Sequence, residues 1–327
     1  MKKTLLAAAV TAAALSTSAI ADTKLSGHVN YVGGFIEDFN GNEDLTVETA
    51  DASESRFRII STIKAHGVKY GLAQEFGIGN PDRANSLNKR RNELWVKGSA
   101  GKVSLGQGSI AGDGALEEDF SGTYVLSGEL GSWQFEGIDA TDGGDQEGDF
   151  SELASRDIGR TERLRYDAPK IGYLALSASI NDAESDDEGN DIAVAARYRV
   201  KGFAAHLAYI NAEEDDSDII QGSIAAKFKG GFTASLGYHQ NEEDNSDEDL
   251  EQYRVILGYN PGPYSIAVDY WKTETDDSDI TEVESYGVSF VYRPTKGVEL
   301  YAGVREAENE ISNDDGTGIL FGGRIKF

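Results

Sequence analysis

Charged side chains at alternate positions are where this chain could do chemistry. Arg56 and Arg58 stand two apart in "SRFRI", and Arg163 and Arg165 repeat the spacing in "RLRYD". On an extended backbone, residues two apart share a face, so each pair would aim two guanidinium groups into one space. Arg90 and Arg91 are adjacent, so alternation leaves the facing of both open. Four acids, Asp113, Glu117, Glu118 and Asp119, cluster in "GDGALEED". Acids set across a narrow gap from fixed cations would create a transverse field, and rows of charge at short range select ions. The simpler use of the same arginines is to neutralise the acids and hold that segment down. Nucleophilic catalysis has little to work with. The histidines are His28, His66, His206 and His239, and no Ser/His/Asp grouping follows from their spacing, so they read as polar lining and no enzyme is expected. The absence of cysteine excludes disulfides, thiolate metal sites and a cysteine nucleophile. The acidic runs "DDSD", "ESDDEGND" and "NEEDNSDED" share no register of the kind a calcium loop needs. No cofactor is therefore expected.

The ends and the composition set the compartment. "MKKTLLAAAVTAAALSTSAIAD" has two lysines, an apolar run and Ala19-Ile20-Ala21 before Asp22. That is the layout of a cleaved secretory signal, which assigns residues 1–21 to the leader and 22–327 to the mature protein. A formal charge of −27 excludes a general nucleic-acid binder, whose affinity rests on neutralising phosphates. After the leader no stretch approaches the roughly 20 apolar residues of a membrane helix. Mean hydropathy is −0.42, but a membrane barrel alternates apolar and polar residues, and averaging erases that signal.

Read with a period of two, the chain becomes regular. "IAVAARYRV" puts Ile192, Val194, Ala196, Tyr198 and Val200 on one face and Arg197 and Arg199 on the other. "FAAHLAY", "GSIAAKF", "FTASLGYH", "YRVILGY", "YSIAVDY" and "YGVSFVYR" repeat the pattern, with aromatics at the strand ends of the apolar face. Rings with one dry and one wet end suit a membrane–water boundary, so two aromatic girdles are expected. Short neutral or basic turns begin near 66, 99, 168, 200, 229, 260 and 294, and long acidic connectors alternate with them, the first at 37–54. Turns at one rim and loops at the other predict an all-β transmembrane antiparallel barrel of 16 strands. Its third connector, near 108–158, is long enough to fold into the lumen. Residues 123–138 alternate enough to form a hairpin within that loop; if they spanned the membrane instead, the count would be 18. About sixteen strands enclose a lumen that side chains cannot fill, hence an aqueous channel. Closure requires the final strand, "GILFGGRIKF", to pair with "KLSGHVNYVGGF", leaving Phe327 at the periplasmic interface. The pore constriction is then expected from Arg56, Arg58, Arg91, Arg163 and Arg165 on the wall, opposite the four loop acids. Acidic loops concentrate cations at the mouth, which favours a weak cation preference. They would also suit divalent bridges to lipopolysaccharide.

At "SRFRI", "GVKYGLAQEF", "RNELWVKGSAGKVSLGQG", "RYDAPKIGYLALSASI" and the terminal aromatic strand, the chain resembles the general porin family of Gram-negative outer membranes over essentially its mature length. The resemblance implies a homotrimer of sixteen-stranded barrels that passes small hydrophilic solutes, with loop three forming the eyelet against basic wall residues. It also implies that Phe327 belongs to the signal read by the barrel-assembly machinery. The family's basic residue after "LG" of the fifth strand is here Gln107. Two other readings stand beside this one, a substrate-specific channel for sugars or peptides and a secreted calcium-binding adhesin.

Overall fold

The computed structural model describes residues 21–39, 41–49, 53–79, 87–128, 133, 136–139, 147–149, 159–181, 190–213, 217–243, 249–275, 282–309 and 314–327. The proposed leader, apart from Ala21, lies outside them. The strands are β1 (Asp22–Glu37), β2 (Glu43–Thr49), β3 (Ser55–Ala65), β4 (Val68–Ile78), β5 (Leu87–Gly98) and β6 (Gly101–Ser109). One short helix, α1 (Tyr124–Ser127), and a small pair, β7 (Glu136–Asp139) and β8 (Glu147–Asp149), follow. Then come β9 (Arg160–Asp167), β10 (Leu174–Asn181), β11 (Ile192–Val200), β12 (Phe203–Ala212), β13 (Ser217–Lys227) and β14 (Phe232–Glu243). The chain ends with β15 (Leu250–Tyr259), β16 (Tyr264–Thr275), β17 (Val283–Thr295), β18 (Val298–Asn309) and β19 (Asp314–Lys326).

Each strand pairs antiparallel with its sequence neighbours, β6 with β9, and β19 returns to β1, so the sheet closes as a sixteen-stranded barrel. β2 and β3 count as one of the sixteen, because both pair with β1, along 31–37 and 22–28 respectively. The first acidic connector is therefore not the loop over 37–54 expected above. It is a tight turn at 38–42, held by the Asn42 N–H donating to Asp38 Oδ1 at 2.7 Å, followed by a strand that extends the hairpin. Leu45 and Val47 alternate there and face outward. The count of eighteen is excluded, and the hairpin expected within 123–138 falls partly outside the described residues. Residues 124–127 are helical, and β7 pairs with β8 in a separate two-stranded sheet rather than with the barrel.

The faces are inverted relative to a soluble protein. Leu207 is 59% exposed and Val268 49%, whereas Arg254 and Arg305 are among the most deeply buried side chains. A sandwich in water would hide the leucines and wet the arginines. Hydrocarbon outside and a polar interior explain the inversion, because a barrel in lipid satisfies every strand amide within the ring. The aromatics meet across strands in register. Tyr264 stacks on Tyr292 with ring centroids 5.0 Å apart, and Tyr270 lies 5.1 Å from Tyr286. Six residues separate Tyr264 from Tyr270, about 20 Å along a strand. These rings thus belong to two bands bounding a greasy belt. At the long-connector rim the hydroxyls of Tyr209 and Tyr270 donate to Asp218 and Glu284, which gives each ring its wet end.

The closing seam is reinforced from inside. Gly27 and Phe327 exchange N–H···O bonds of 3.0 Å. Tyr301, on β18, lies flat over Gly322 of β19, where a Cβ would come within 2.5 Å of its ring. Its hydroxyl reaches across β19 to donate to Asn30 Oδ1 at 2.7 Å, with Tyr31 O at 3.0 Å. One side chain therefore spans three strands at the seam. Tyr301→Phe is expected to cost about 1–2 kcal/mol and to lower the temperature at which the folded barrel converts to the slower-migrating unfolded form on a semi-native gel. Gly322→Val should lower it further, by displacing the ring.

Candidate functional site

Residues 110–128 and 133 of the long third connector lie against the inner faces of β10 to β18. Irregular backbone away from bulk water needs donors for its carbonyls, and the wall supplies them. Gln221 Nε2 donates to Gly112 O at 3.1 Å, and His206 Nδ1 to Gly114 O at 3.0 Å. Ser223 Oγ reaches Ala115 O at 2.5 Å, and Asn260 Nδ2 reaches Phe120 O at 2.9 Å. Arg254 donates to Leu116 O, Arg293 to Gly122 O, and Trp271 Nε1 to Ser127 O at 3.2 Å. Apolar contacts complete the seat. Ile110, Ala111 and Ala115 cluster with Ala193, Ala208, Ile210 and Ile219, and farther along the segment Leu126 and Trp133 are fully buried. Arg254 lies over Trp271 and Arg305 over Trp133, each 5.4 Å from the ring centre, and Arg305 is paired with Asp269.

That path covers Ser179 of β10 and Ala193 of β11 but leaves most of the wall from β3 to β11 off the segment, and this sector carries the arginines. Glu75 of β4 is bracketed by Arg58, by Arg90 Nε at 3.1 Å and by Arg56 Nη1 at 3.6 Å. Glu54 accepts from Arg90 as well. Glu93 of β5 binds Arg163, with Lys102 at 3.8 Å and Arg91 at 3.9 Å. Arg90 and Arg91 both reach inner-wall acids because β5 carries an extra residue. Glu75 pairs with Arg91 and Phe76 with Lys89, so Arg90 forms a β-bulge and breaks the alternation. The pair on β9 divides its labour. Arg163 is buried and donates to Gly106 O at 2.6 Å and Ser109 O at 3.0 Å. Arg165 donates to Ile110 O at 2.6 Å and to Asp167 at 2.8 Å. Arg163 thus fixes the end of β6, and Arg165 the first residue of the inward segment, through the backbone.

The four loop acids have different fates. Asp113 lies 3.7 Å from Arg160. Glu118 is buried, accepts from Arg197 and from Arg199 Nη1 at 3.2 Å, and its own N–H donates to Ser223 Oγ at 3.0 Å. Asp119 folds onto its own turn, accepting from the Ser121 N–H at 2.7 Å and the Ser121 hydroxyl at 2.5 Å. Glu117 alone of the four keeps an exposed side chain. It stands inside the barrel with protein around it, and that partial loss of water, followed by the nearby charge of Asp113, holds its carboxyl above the usual carboxylate range.

Across this sector the acids are deep, and the guanidinium groups of Arg58, Arg197 and Arg199 face water, whereas Arg56, Arg90 and Arg163 are held closer to the wall. The side chains of Glu75, Glu93 and Glu118 are 4%, 3% and 0% exposed, against 38%, 46% and 48% for Arg58, Arg197 and Arg199. Arg197 and Arg199 were absent from the expected constriction, although "ARYRV" repeats the two-apart spacing of the other pairs. The same rule would have found them. Arg254 and Arg305 occur singly in sequence, and nothing local marks them. Among the described residues, no group of three or more His, Asp and Glu side chains is placed to hold a metal ion.

The family model described as Gram-negative porin matches residues 6–312. Among solved structures the chain is similar to an anion-selective porin from Comamonas acidovorans, with a TM-score of 0.72 and 18% identity over 94% of this chain and 100% of that one. It is also similar to a loop-deletion form of OmpT, an outer membrane protein of Vibrio cholerae, with a TM-score of 0.65 and 13% identity over 94% and 99% of the two chains. A multiply substituted Rh. blastica porin gives 0.65 and 19% over 94% and 100%. None of the curated proteins compared matches the chain.

Glu118 is the acid on which the seating of the inward segment turns. Glu118→Ala leaves two guanidinium groups without their shared carboxylate and is expected to cost on the order of 1–3 kcal/mol. Glu118→Gln, which keeps the shape and one acceptor, should cost less. Thermal unfolding in detergent checks the order. Limited proteolysis of the segment should rise in the same order.

Proposed function

Because the chain belongs to the Gram-negative porin family, whose members are outer-membrane β-barrel channels, we propose that it carries ions and small hydrophilic solutes passively across that membrane. The water path runs between the inward segment and the wall from β3 to β11. Its narrowest part is lined by Glu117 of the segment and by Arg58, Arg91, Arg165, Arg197 and Arg199 of the wall. The observation that carries this reading is the exposure pattern, with carboxylates buried beneath guanidinium heads. A passing ion meets the heads first. At a Debye length near ~8 Å in physiological salt the acidic rim is screened, and charges at contact distance decide. The constriction therefore favours anions over cations, which replaces the cation preference drawn from the acidic connectors. At low salt the rim acts in the opposite sense. The same reading takes residues 1–21 as a cleaved export signal and Phe327 as part of the assembly signal. It takes the working unit as a homotrimer among lipopolysaccharide, and the protein as a channel without catalytic activity.

Purified protein in a planar bilayer should give stepwise ion current, and its absence would remove the channel reading. Under a salt gradient near physiological strength the reversal potential should report anion preference. Replacing Arg58, Arg197 and Arg199 with glutamine should shift the permeability ratio toward cations, on the order of threefold per charge. Glu117 adds a pH dependence. Its carboxyl protonates above the ordinary value of 4.5, so anion preference should rise as pH falls through that raised midpoint. Glu117→Gln should show the low-pH selectivity at neutral pH and lose the step.

A further inference from the structure

Below the first residues of the inward segment, toward the short-turn rim, the wall holds a recess of about 570 Å³. Lys97 of β5, Lys102 of β6, Arg165 of β9, Lys170 of the following turn and Arg197 of β11 line it. Only two carboxylates join them, Asp113 and Asp167, a formal surplus of three positive charges. Both carboxylates have cations of their own, Arg160 at 3.7 Å from Asp113 and Arg165 at 2.8 Å from Asp167. Arg197 is paired with Glu118 of the segment, so the unbalanced charge lies on the three lysines. Lys102 is held loosely, 3.8 Å from Glu93 and 5.7 Å from the Trp95 ring centre. Among the described residues, neither Lys97 nor Lys170 has an ion-pair partner. His206 closes one side, its Nδ1 engaged by Gly114 O.

Ammonium and guanidinium groups only donate hydrogen bonds. A ligand suited to this recess must accept around most of its surface and carry more than one negative charge, because one charge would leave most of the surplus uncompensated. Tetrahedral and planar oxyanions meet both conditions, and charge-assisted bonds to their oxygens are the strong ones. The space exceeds a bare phosphate, so it admits the ion with several waters or as part of a larger solute. We propose that the recess is a binding site for small multivalent oxyanions, with inorganic phosphate the simplest, on the short-turn side of the constriction. The proposal rests on the reading of the lumen as water-filled. It goes beyond that reading by adding a residence site to a passage.

The test uses the full mature protein in detergent, titrated with sodium phosphate at ionic strength held constant with sodium chloride and followed by calorimetry. Saturable phosphate binding is expected. Lys97→Gln combined with Lys170→Gln should weaken it about tenfold, while Lys229→Gln, which removes one charge from another short turn, should leave it intact. Absence of saturable binding, or binding equal in the double variant and the wild type, overturns the proposal. A bilayer recording on the same preparation separates the two readings. Chloride current without phosphate binding removes the recess and leaves the channel, whereas absence of current removes the channel itself.

Discussion

An amide without a partner is the one thing a membrane-spanning sheet cannot carry, and this structure is organised around that constraint. Hydrocarbon offers nothing to an edge strand, so the last strand must find the first. The register from His28↔Lys326 to Glu37↔Thr317 does this, and the Gly27–Phe327 exchange carries pairing to the final residue. The small residues there follow from the same demand. Tyr301 can cross the seam only because Gly322 leaves room for its ring. The same packing recurs a few strands away, where Trp95 of β5 lies over Gly71 of β4. In both places an inward aromatic covers a bare stretch of backbone and stiffens strands that local side-chain packing would leave thin.

Inside the ring the constraint changes form. The third connector brings irregular backbone into a narrow space, and its carbonyls are met by side chains from successive strands. This explains why a polar inner face is rich in Gln, Ser, Asn and Arg rather than in acids alone. It also explains the layering of charge. A carboxylate that joins two arginines is most useful behind them, where it is desolvated and held, as Glu75, Glu93 and Glu118 are. The stems of Arg58, Arg197 and Arg199 then carry their heads toward water. Structural pairing and a cationic lumen surface are one arrangement seen from two sides.

Much of this was legible in the sequence because lipid imposes a strict period of two. From Ile192 onward, nearly every facing follows from parity alone, and alternating short and long connectors fix the strand count. Legibility fails where one residue is added or where a partner is distant. The bulge at Arg90 shifts the facing of its strand by one position, and no local residue announces it. The segment 43–49 was hidden by its acids, although Leu45 and Val47 alternate correctly. The loop acids were identified by type but not by role. Which of Glu117 and Glu118 is buried depends on Arg197, Arg199 and Ser223, all more than seventy residues away in the chain.

The seating of the inward segment bears on how such a channel would discriminate. Beyond Arg165 at its start, seven wall side chains donate to the carbonyls of its described residues. At about 1 kcal/mol net for each bond, lifting it off the wall costs on the order of 7 kcal/mol before its apolar contacts are counted. That corresponds to an open population near ~10⁻⁵. A gate that swings on this segment would need an input of that size, and neither the binding of a small solute nor the titration of one carboxylate supplies it. In the proposed channel, discrimination would therefore rest on charges held in fixed places, Glu117 on the segment among them.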